Sequence, residues 1–363
     1  MLAELVAATP VSPVNFGMWR EDGRQIVTVA RGGQIALWDV DTLLGQIPPI
    51  PLTQASMVIA TPLIQIWDVD WDQETDRIAI GGSDGLVGVW DLQHGQELFS
   101  QSIHQILTLS VQWDPHKQSI LSVGADDQAI LTDPQSGEIL QQFDVAGGLL
   151  AGAFFSKDGT KVVTYGGDAV VRIWDVQSGK LLDSLRGHAK GEMQAHWNKT
   201  EDALLTAGAD GNAIVWNVAN AARQSSFVTS LLSGHNKQVW SATTRLYDAY
   251  WNRYDSRIVT VSDDRTARLW TVKNGETLAV LPHNRSVLVA AWSRDGSRLA
   301  TGDGGTVSLW AKRQSLFDSW SCRRSFVRDT QTIGSPNPDN WSGRAGVLME
   351  CGEWLRRWRI GRS

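Results

Sequence analysis

Two groups of side chains in the second half of the sequence each combine a hydroxyl, an imidazole, a carboxylate and an indole at similar intervals. A hydroxyl, a histidine and an aspartate are the components of a nucleophilic triad, in which the histidine takes the hydroxyl proton and the aspartate orients the imidazole. Their residue types alone are therefore compatible with a hydrolase. The groups are His188, Thr206, Asp210 and Trp216, and His235, Thr260, Asp264 and Trp270.

A second feature with catalytic spacing is the segment GGSDG at residues 81–85, which matches the G-x-S-x-G nucleophile elbow. That motif needs a turn from a strand into a helix that exposes a strained serine. Here the segment lies between two strand-like runs, and the aligned TAGADG at Thr206 and VGADD at Val123 indicate a hairpin turn. The sequence has no phosphate loop, zinc-ligand spacing or paired-carboxylate motif. We therefore expect no catalytic residue, no bound metal and no cofactor.

One repeated unit organises the sequence up to about residue 312. Seven segments start with an aromatic residue, and in six of them a tryptophan or its substitute follows 19 residues later, while the seventh interval is one residue shorter. Each segment has a β-branched run, a Gly/Asp turn, an alternating run and a second turn, which predicts four short antiparallel strands. Such a unit cannot bury both faces alone, so the repeat predicts stacked units. The segments start at Trp19, Trp71, Trp113, Phe155, Trp197, Trp251 and Trp292.

These segments resemble the WD-repeat family, both in the Trp-Asp pairs that start at residues 38, 90 and 174 and in their common register. The resemblance implies an all-β fold, a seven-bladed β-propeller of four-stranded antiparallel blades. It also implies an internal relay of hydrogen bonds from indole to hydroxyl to imidazole to carboxylate. A nucleophile must be single, exposed and close to an oxyanion hole, whereas this group of residues recurs and its hydroxyl lies inside a strand. A structural relay is therefore favoured over a triad.

The other repeats depart from the complete relay. Thr132 replaces the tryptophan of repeat three, and Gly32 stands at the aspartate position of repeat one. The histidine position holds Pro10, Pro62 and Ala146 in repeats one, two and four. Repeat seven has His283, Thr301, Asp303 and Trp310, with one residue fewer between them. We expect the sheets that lack a relay residue to be individually less stable.

The resemblance also assigns to the mouth of an axial channel the residue four positions before each first aromatic residue. These positions hold two aromatic and three large apolar side chains, and exposed apolar patches commonly mark partner sites. The alternative is that Trp67 and Tyr247 pack beneath the inserted loops beside them. The predicted rim consists of Asn15, Trp67, Leu109, Ala151, Met193, Tyr247 and Leu288, and Trp240, Arg245, Asp248 and Asp263 are expected to add polar specificity.

Both ends of the sequence bear on how the fold closes. Residues 1–9 align with the segment from Glu276 that precedes repeat seven, so we expect them to form the outer strand of repeat seven and to close the ring.

Residues 313–363 have no repeat register and lie beyond the predicted propeller domain, residues 1–312. Residues 311–363 hold ten basic and five acidic residues. The tail is interpreted as a disordered extension, a segment that binds acidic partners or a membrane surface, or a shifted reading frame.

Composition limits the class of protein. A hydrophobic fraction of 42% with 20% charged residues is typical of a globular chain. The net charge of -6 argues against nucleic acid as a ligand, because neutralising phosphates needs surplus Lys and Arg. No stretch approaches the ~18 uncharged apolar residues of a membrane span, and Glu4 stands where a signal peptide carries positive charge. We therefore expect a cytoplasmic protein without stable membrane insertion. The two cysteines, Cys322 and Cys351, cannot provide a disulfide framework for the repeats.

The residues together predict a non-catalytic scaffold. It would present the axial face and loops of a propeller to protein or peptide partners, for example within a multiprotein complex. The alternative is a propeller-based small-ligand sensor or hydrolase. That function needs convergent polar or metal-binding side chains in the channel, and Asn15 is the single rim residue of that kind.

Overall fold

Antiparallel β-sheet accounts for nearly all of the regular structure. The computed structural model describes residues 14–20, 22–30, 32–39, 56–61, 65–145, 150–189, 194–219, 221, 226–236, 250–251, 257–293, 296–312 and 320–327. These residues form 28 strands and a 3₁₀ turn at Ser83–Gly85. The strands make seven four-stranded sheets, each built from four strands that are consecutive in the chain. The predicted all-β fold with four-stranded antiparallel sheets is thereby confirmed. The described part of the chain has no helix long and apolar enough to span a membrane.

The first compact unit comprises Met1–Gln142 and Ile333–Ser363, and its described part holds sheets 1 and 2 and all but the last two residues of sheet 3. Sheet 1 consists of β1 (Val14–Trp19), β2 (Gln25–Ala30), β3 (Gln34–Asp39) and β4 (Met57–Ala60). Sheet 2 consists of β5 (Ile66–Asp72), β6 (Arg77–Gly82), β7 (Leu86–Asp91) and β8 (Gln96–Ser102). Sheet 3 consists of β9 (Thr108–Trp113), β10 (Ile120–Gly124), β11 (Gln128–Thr132) and β12 (Ile139–Asp144).

The second compact unit comprises Phe143–Thr332 and holds four sheets in its described part. Sheet 4 consists of β13 (Leu150–Phe155), β14 (Lys161–Gly166), β15 (Val170–Asp175) and β16 (Leu181–Arg186). Sheet 5 consists of β17 (Gln194–Trp197), β18 (Ala203–Ala207), β19 (Asn212–Asn217) and β20 (Phe227–Ser233). Sheet 6 consists of β21 (Tyr250–Trp251), β22 (Arg257–Val261), β23 (Thr266–Thr271) and β24 (Thr277–Pro282). Sheet 7 consists of β25 (Val289–Trp292), β26 (Arg298–Gly302), β27 (Thr306–Lys312) and β28 (Trp320–Val327).

Within each unit the apolar core lies between consecutive sheets. In the first unit, Val27 of sheet 1 belongs to the same buried cluster as Ile78 of sheet 2. In the second unit, Leu269 of sheet 6 clusters with Leu299 and Trp310 of sheet 7. The second and third strands of a sheet are buried on both faces, so their sequences read as continuous apolar runs. The fourth strand of sheet 5, β20, is by contrast exposed over most of its length.

The fourth strand of sheet 7 differs from our sequence-based expectation. We expected residues 1–9 to supply it, but it is β28, which belongs to the segment that we interpreted as a tail outside the repeats. A connection of seven residues links β27 to β28. Forming such a hairpin closes a short loop, which costs less chain entropy than recruiting a strand from the far end of the sequence. Residues 1–9 lie outside the described residues, so ring closure by them is not confirmed.

Candidate functional site

Sheet 5 brings together the four residues of its predicted relay. Nδ1 of His188 lies 3.1 Å from Oδ1 of Asp210, and its Nε2 lies 2.8 Å from Oγ1 of Thr206. The indole N–H of Trp216 donates to the same hydroxyl oxygen at 2.9 Å. The hydroxyl is fully buried on β18, and the carboxylate lies in the turn between β18 and β19. With the Nδ1 proton directed at the carboxylate, Nε2 accepts the hydroxyl proton, so these polar groups satisfy one another.

The carboxylate of this relay is held in its ionised form. Burial alone would raise the pKa of Asp210. Hydrogen bonds from His188 and from the backbone N–H groups of Ala189 and Asn212 outweigh this effect and lower the pKa to about 2. The same carboxylate fixes the backbone directly after His188, since the Ala189 N–H donates to its Oδ2 at 2.9 Å.

Sheet 6 repeats this geometry with slightly shorter contacts. Nδ1 of His235 lies 2.8 Å from Oδ2 of Asp264, and its Nε2 lies 2.7 Å from Oγ1 of Thr260. The Trp270 indole donates to that hydroxyl oxygen at 2.8 Å. Burial lowers the pKa of His235 below its ordinary value and outweighs the opposing effect of Asp264. The neutral imidazole is therefore the form that the folded chain favours.

Sheet 7 contains a looser relay. Nε2 of His283 lies 2.9 Å from Oγ1 of Thr301, and the Trp310 indole donates to that oxygen at 2.7 Å. The nearest approach of Nδ1 to Oδ2 of Asp303 is 3.8 Å, longer than in sheets 5 and 6. The residue missing from this repeat shortens the turn that carries the aspartate, which accounts for the longer distance.

Sheet 3 retains three relay residues without the tryptophan. Nε2 of His104 lies 2.9 Å from Oγ of Ser122, and Nδ1 lies 3.0 Å from Oδ1 of Asp126. Thr132, at the tryptophan position, is fully buried, and its hydroxyl donates to Ile120 O at 3.5 Å. We expected the substitution at residue 132 from the sequence but did not name the three groups that remain.

These hydroxyls do not have the surroundings of a nucleophile. Thr206 and Thr260 are completely buried and bonded on both sides, so a substrate cannot reach them without opening the sheet. In the segment with elbow spacing, which we expected to be a hairpin turn, Ser83 starts a 3₁₀ turn between β6 and β7, and the positive φ of 59° belongs to Asp84. The described residues contain no group of three or more His, Cys, Asp or Glu side chains able to hold a metal ion.

Four predicted rim residues coincide with irregularities at the start of sheets 1 to 4. In each sheet the pairing between the first two strands shifts by one residue, and the skipped residue is the predicted rim residue. The skipped residues are Asn15, Trp67, Leu109 and Ala151. A β-bulge re-aims the side chain of the extra residue, and such bulges are common next to functional sites.

The predicted rim residues differ in exposure where the structure describes them. Trp67, Leu109, Leu288 and Asp263 are half-buried, and Ala151 is exposed. Leu288 precedes β25, and its N–H donates to Gly302 O at 2.8 Å. The side chain of Asn15 is not described. Outside the described residues lie Met193, Trp240, Arg245, Tyr247 and Asp248.

Two carboxylates that the sequence analysis did not single out join sheets 2 and 3. Oδ2 of Asp68 accepts the Val111 N–H at 2.8 Å, and Oδ2 of Asp70 accepts the Trp113 N–H at 2.9 Å. Both aspartates belong to β5 and both N–H groups to β9, the first strands of their sheets. The carboxylates thus provide acceptors for an edge that has no further strand beside it. The alternation in WDVDWD, with acidic residues on the same side of a buried strand, was the available sequence signal.

Comparison with known protein families agrees with this architecture. The family model described as WD domain, G-beta repeat, matches residues 61–91, 179–217, 225–271 and 275–311. The chain contains WD repeats. No curated protein matches the chain.

The limits of the matched WD repeats are offset from the sheets. The match at residues 179–217 contains β16 of sheet 4 and the first three strands of sheet 5, and the match at residues 225–271 contains β20 of sheet 5 and three strands of sheet 6. Each of these WD repeats therefore runs from the outer strand of one sheet to the third strand of the next. The repeats with all four relay residue types are matched, as is repeat two, whereas no match covers sheets 1 and 3 or the first three strands of sheet 4.

Proposed function

We propose that this WD-repeat protein is a non-catalytic scaffold whose sheets close into a seven-bladed ring and bind protein or peptide partners at the axial rim. WD repeats generally mediate protein–protein interaction. The groups with catalytic potential have a structural role, because the histidines and hydroxyls of sheets 5 and 6 are hydrogen-bonded to one another. The alternative of a small-ligand sensor or hydrolase has no comparable support among the described residues.

The observation that carries the proposal is the bulge at each described rim position of sheets 1 to 4. A regular strand would alternate its side chains strictly between the two faces of the sheet. The extra residue breaks that alternation at the same place in four sheets of different sequence. Trp67 combines a large apolar surface with an N–H donor, the properties of residues that dominate binding energy at interfaces.

Trp67→Ala tests the proposal. We expect the variant to lose most partner binding in affinity capture from a cell extract with quantitative mass spectrometry, while its melting temperature stays close to that of the wild type. The matched control is Leu140→Ala, which truncates a 53% exposed side chain on the outer strand of sheet 3. If Trp67→Ala instead lowers the melting temperature strongly and the folded fraction binds partners normally, the side chain serves packing and the proposal is wrong.

A further inference from the structure

The connection from β8 to β9, residues 103–107, is fixed on one side by the turn of sheet 2. The N–H groups of Ile103 and His104 both donate to Gly85 O at 3.0 Å. Gly85 has a φ of +68°, and an added Cβ would lie 1.7 Å from the His104 carbonyl oxygen. Backbone contact as close as this requires glycine. The connection therefore lies directly against the turn whose tip is Asp84.

The turn of sheet 3 fixes the same connection on its other side. The Gln105 N–H donates to Oδ2 of Asp126 at 2.9 Å, and the Ala125 N–H donates to Leu107 O at 2.9 Å. The backbone groups on both sides of Ile106 are thus held by hydrogen bonds. Its side chain nevertheless remains 55% exposed. A large aliphatic group held in one place in water pays little further ordering cost when a partner covers it.

The position of Ile106 is unusual among the repeats. It stands two residues after the relay histidine, and the same position holds Lys190, Lys237 and Arg285 in repeats five, six and seven. In sheet 7 the cation lies over the turn between the second and third strands, since a Cβ on Gly305 would be 3.3 Å from Nη1 of Arg285. Repeat three has an apolar side chain at the position from which Arg285 of repeat seven lies against the turn that carries Asp303.

The charge that such a cation would meet is present in sheets 2 and 3. Asp84 is exposed and Asp127 half-buried, and each stands at the tip of its turn with a positive φ, 59° and 64°. Segments 65–68, 83–86, 101–110 and 124–128 contain no Lys or Arg. We call Asp84, Ile106 and Asp127 the Ile106 surface. It combines an exposed aliphatic group with two carboxylates.

We infer that the Ile106 surface binds a protein segment in which a Lys or Arg is adjacent to an aliphatic or aromatic residue. The apolar residue packs on Ile106, and the cation lies beside the acidic turns, as Arg285 lies beside the turn of sheet 7. This assignment rests on the proposed scaffold function and specifies the chemistry of its partner. Complementary charge supplies specificity and faster association, and apolar contact supplies most of the affinity.

The test uses the full chain as bait for a phage-displayed library of random short linear peptides. We expect the selected sequences to pair Lys or Arg with Leu, Ile, Val, Phe or Trp. Ile106→Lys should weaken binding of a selected peptide at least about tenfold, and Asp84→Asn and Asp127→Asn about threefold each, the size expected of partly screened charge pairs. Raising NaCl from about 50 to about 500 mM should weaken binding to the wild type but change little in the double Asn variant.

Two controls separate lost contact from lost structure. Ile106→Lys should keep the wild-type melting temperature, because two other repeats carry lysine at this position. Leu231→Lys makes the same change at a residue with 54% exposure on β20, and we expect it to bind the selected peptides like the wild type.

The outcomes distinguish this inference from the scaffold proposal. Selected peptides without a basic residue, no selected peptide at all, or undiminished binding to Ile106→Lys would overturn the inference. If partner capture depends on Trp67 while Ile106→Lys binds normally, the scaffold proposal stands and the partner chemistry is wrong. If neither variant affects capture, both fail.

Discussion

Replacing one relay hydroxyl measures what the histidine adds to a sheet. Thr260 in sheet 6 contacts both the Trp270 indole and the His235 imidazole, whereas Thr164 in sheet 4 accepts the Trp174 indole at 2.9 Å in a repeat with Ala146 at the histidine position. Both threonines are fully buried. Valine has nearly the shape of threonine, so each Thr→Val change removes a hydroxyl without leaving a large cavity.

The expected magnitudes follow from the groups left without a partner. A buried polar group that loses its hydrogen-bond partner costs about 1–3 kcal/mol. Thr164→Val strands one indole N–H, so we expect a loss of about 1–3 kcal/mol in the free energy of unfolding. Thr260→Val strands an indole N–H and an imidazole nitrogen, which doubles the expected loss to about 2–6 kcal/mol. Thr260→Ser retains the hydroxyl and should recover most of the difference.

The assay is urea denaturation followed by far-ultraviolet circular dichroism, with the m-value checked for constancy across the variants. The two threonines lie in one compact unit, so each variant is compared with the wild type under the same transition. Equal losses for Thr164→Val and Thr260→Val would refute the reasoning. The hydroxyl would then support the tryptophan alone, and the histidine and aspartate would add nothing to the stability of the sheet.

Three further predictions concern protonation, the carboxylates of β5 and the C-terminal strand. The pKa of His235 is below 6.5 in the folded chain, so the unfolded chain takes up the proton first, and stability present above pH 6.5 should be lost as the pH falls through the lowered pKa. The melting temperature should therefore fall as the pH is lowered from about 7.5 to about 5.5, and the fall should be smaller in His235→Gln. Asp68→Ala should cost about 1–3 kcal/mol in urea denaturation by leaving the Val111 N–H without its acceptor, and preservation of stability in Asp68→Asn would show that the acceptor oxygen matters rather than the charge. Deleting residues 314–363 removes β28 and should lower the melting temperature more than deleting residues 1–9, whereas the opposite order would support closure by the N-terminal strand.

The features that sequence reasoning predicted well are those that recur. Seven copies of one pattern specify the same strand order, so errors in a single copy do not change the interpretation. Repeat three illustrates this robustness: Thr132 replaces its tryptophan, yet β9 to β12 form the expected four-stranded sheet. The WD-repeat resemblance and the four-stranded antiparallel sheets are both confirmed.

The features that it did not predict occur once. The sequence of β28 does not align with the fourth strands of the other repeats. Neither its partner strand nor its position could therefore be inferred from those repeats. The hydrogen bonds of Asp68 to Val111 and of Asp70 to Trp113 join residues 43 positions apart and depend on how closely two sheets approach. No periodicity along the chain predicts how closely two sheets approach each other.

Sheet 3 shows that the relay supports more than its tryptophan. With Thr132 in place of the indole, the His104 imidazole still contacts the Ser122 hydroxyl and the Asp126 carboxylate. The other oxygen of that carboxylate accepts the Gln105 N–H, one residue before Ile106. If these three polar residues served packing alone, apolar side chains of the same volume would fill the space at a lower free-energy cost, because they need no matched hydrogen-bond partners. Their geometry instead fixes the connection that exposes Ile106. His104→Leu should therefore weaken the peptide binding attributed to the Ile106 surface, although the histidine is buried and does not touch the peptide. Unchanged affinity in a folded His104→Leu variant would show that the relay of sheet 3 is not needed to position this surface.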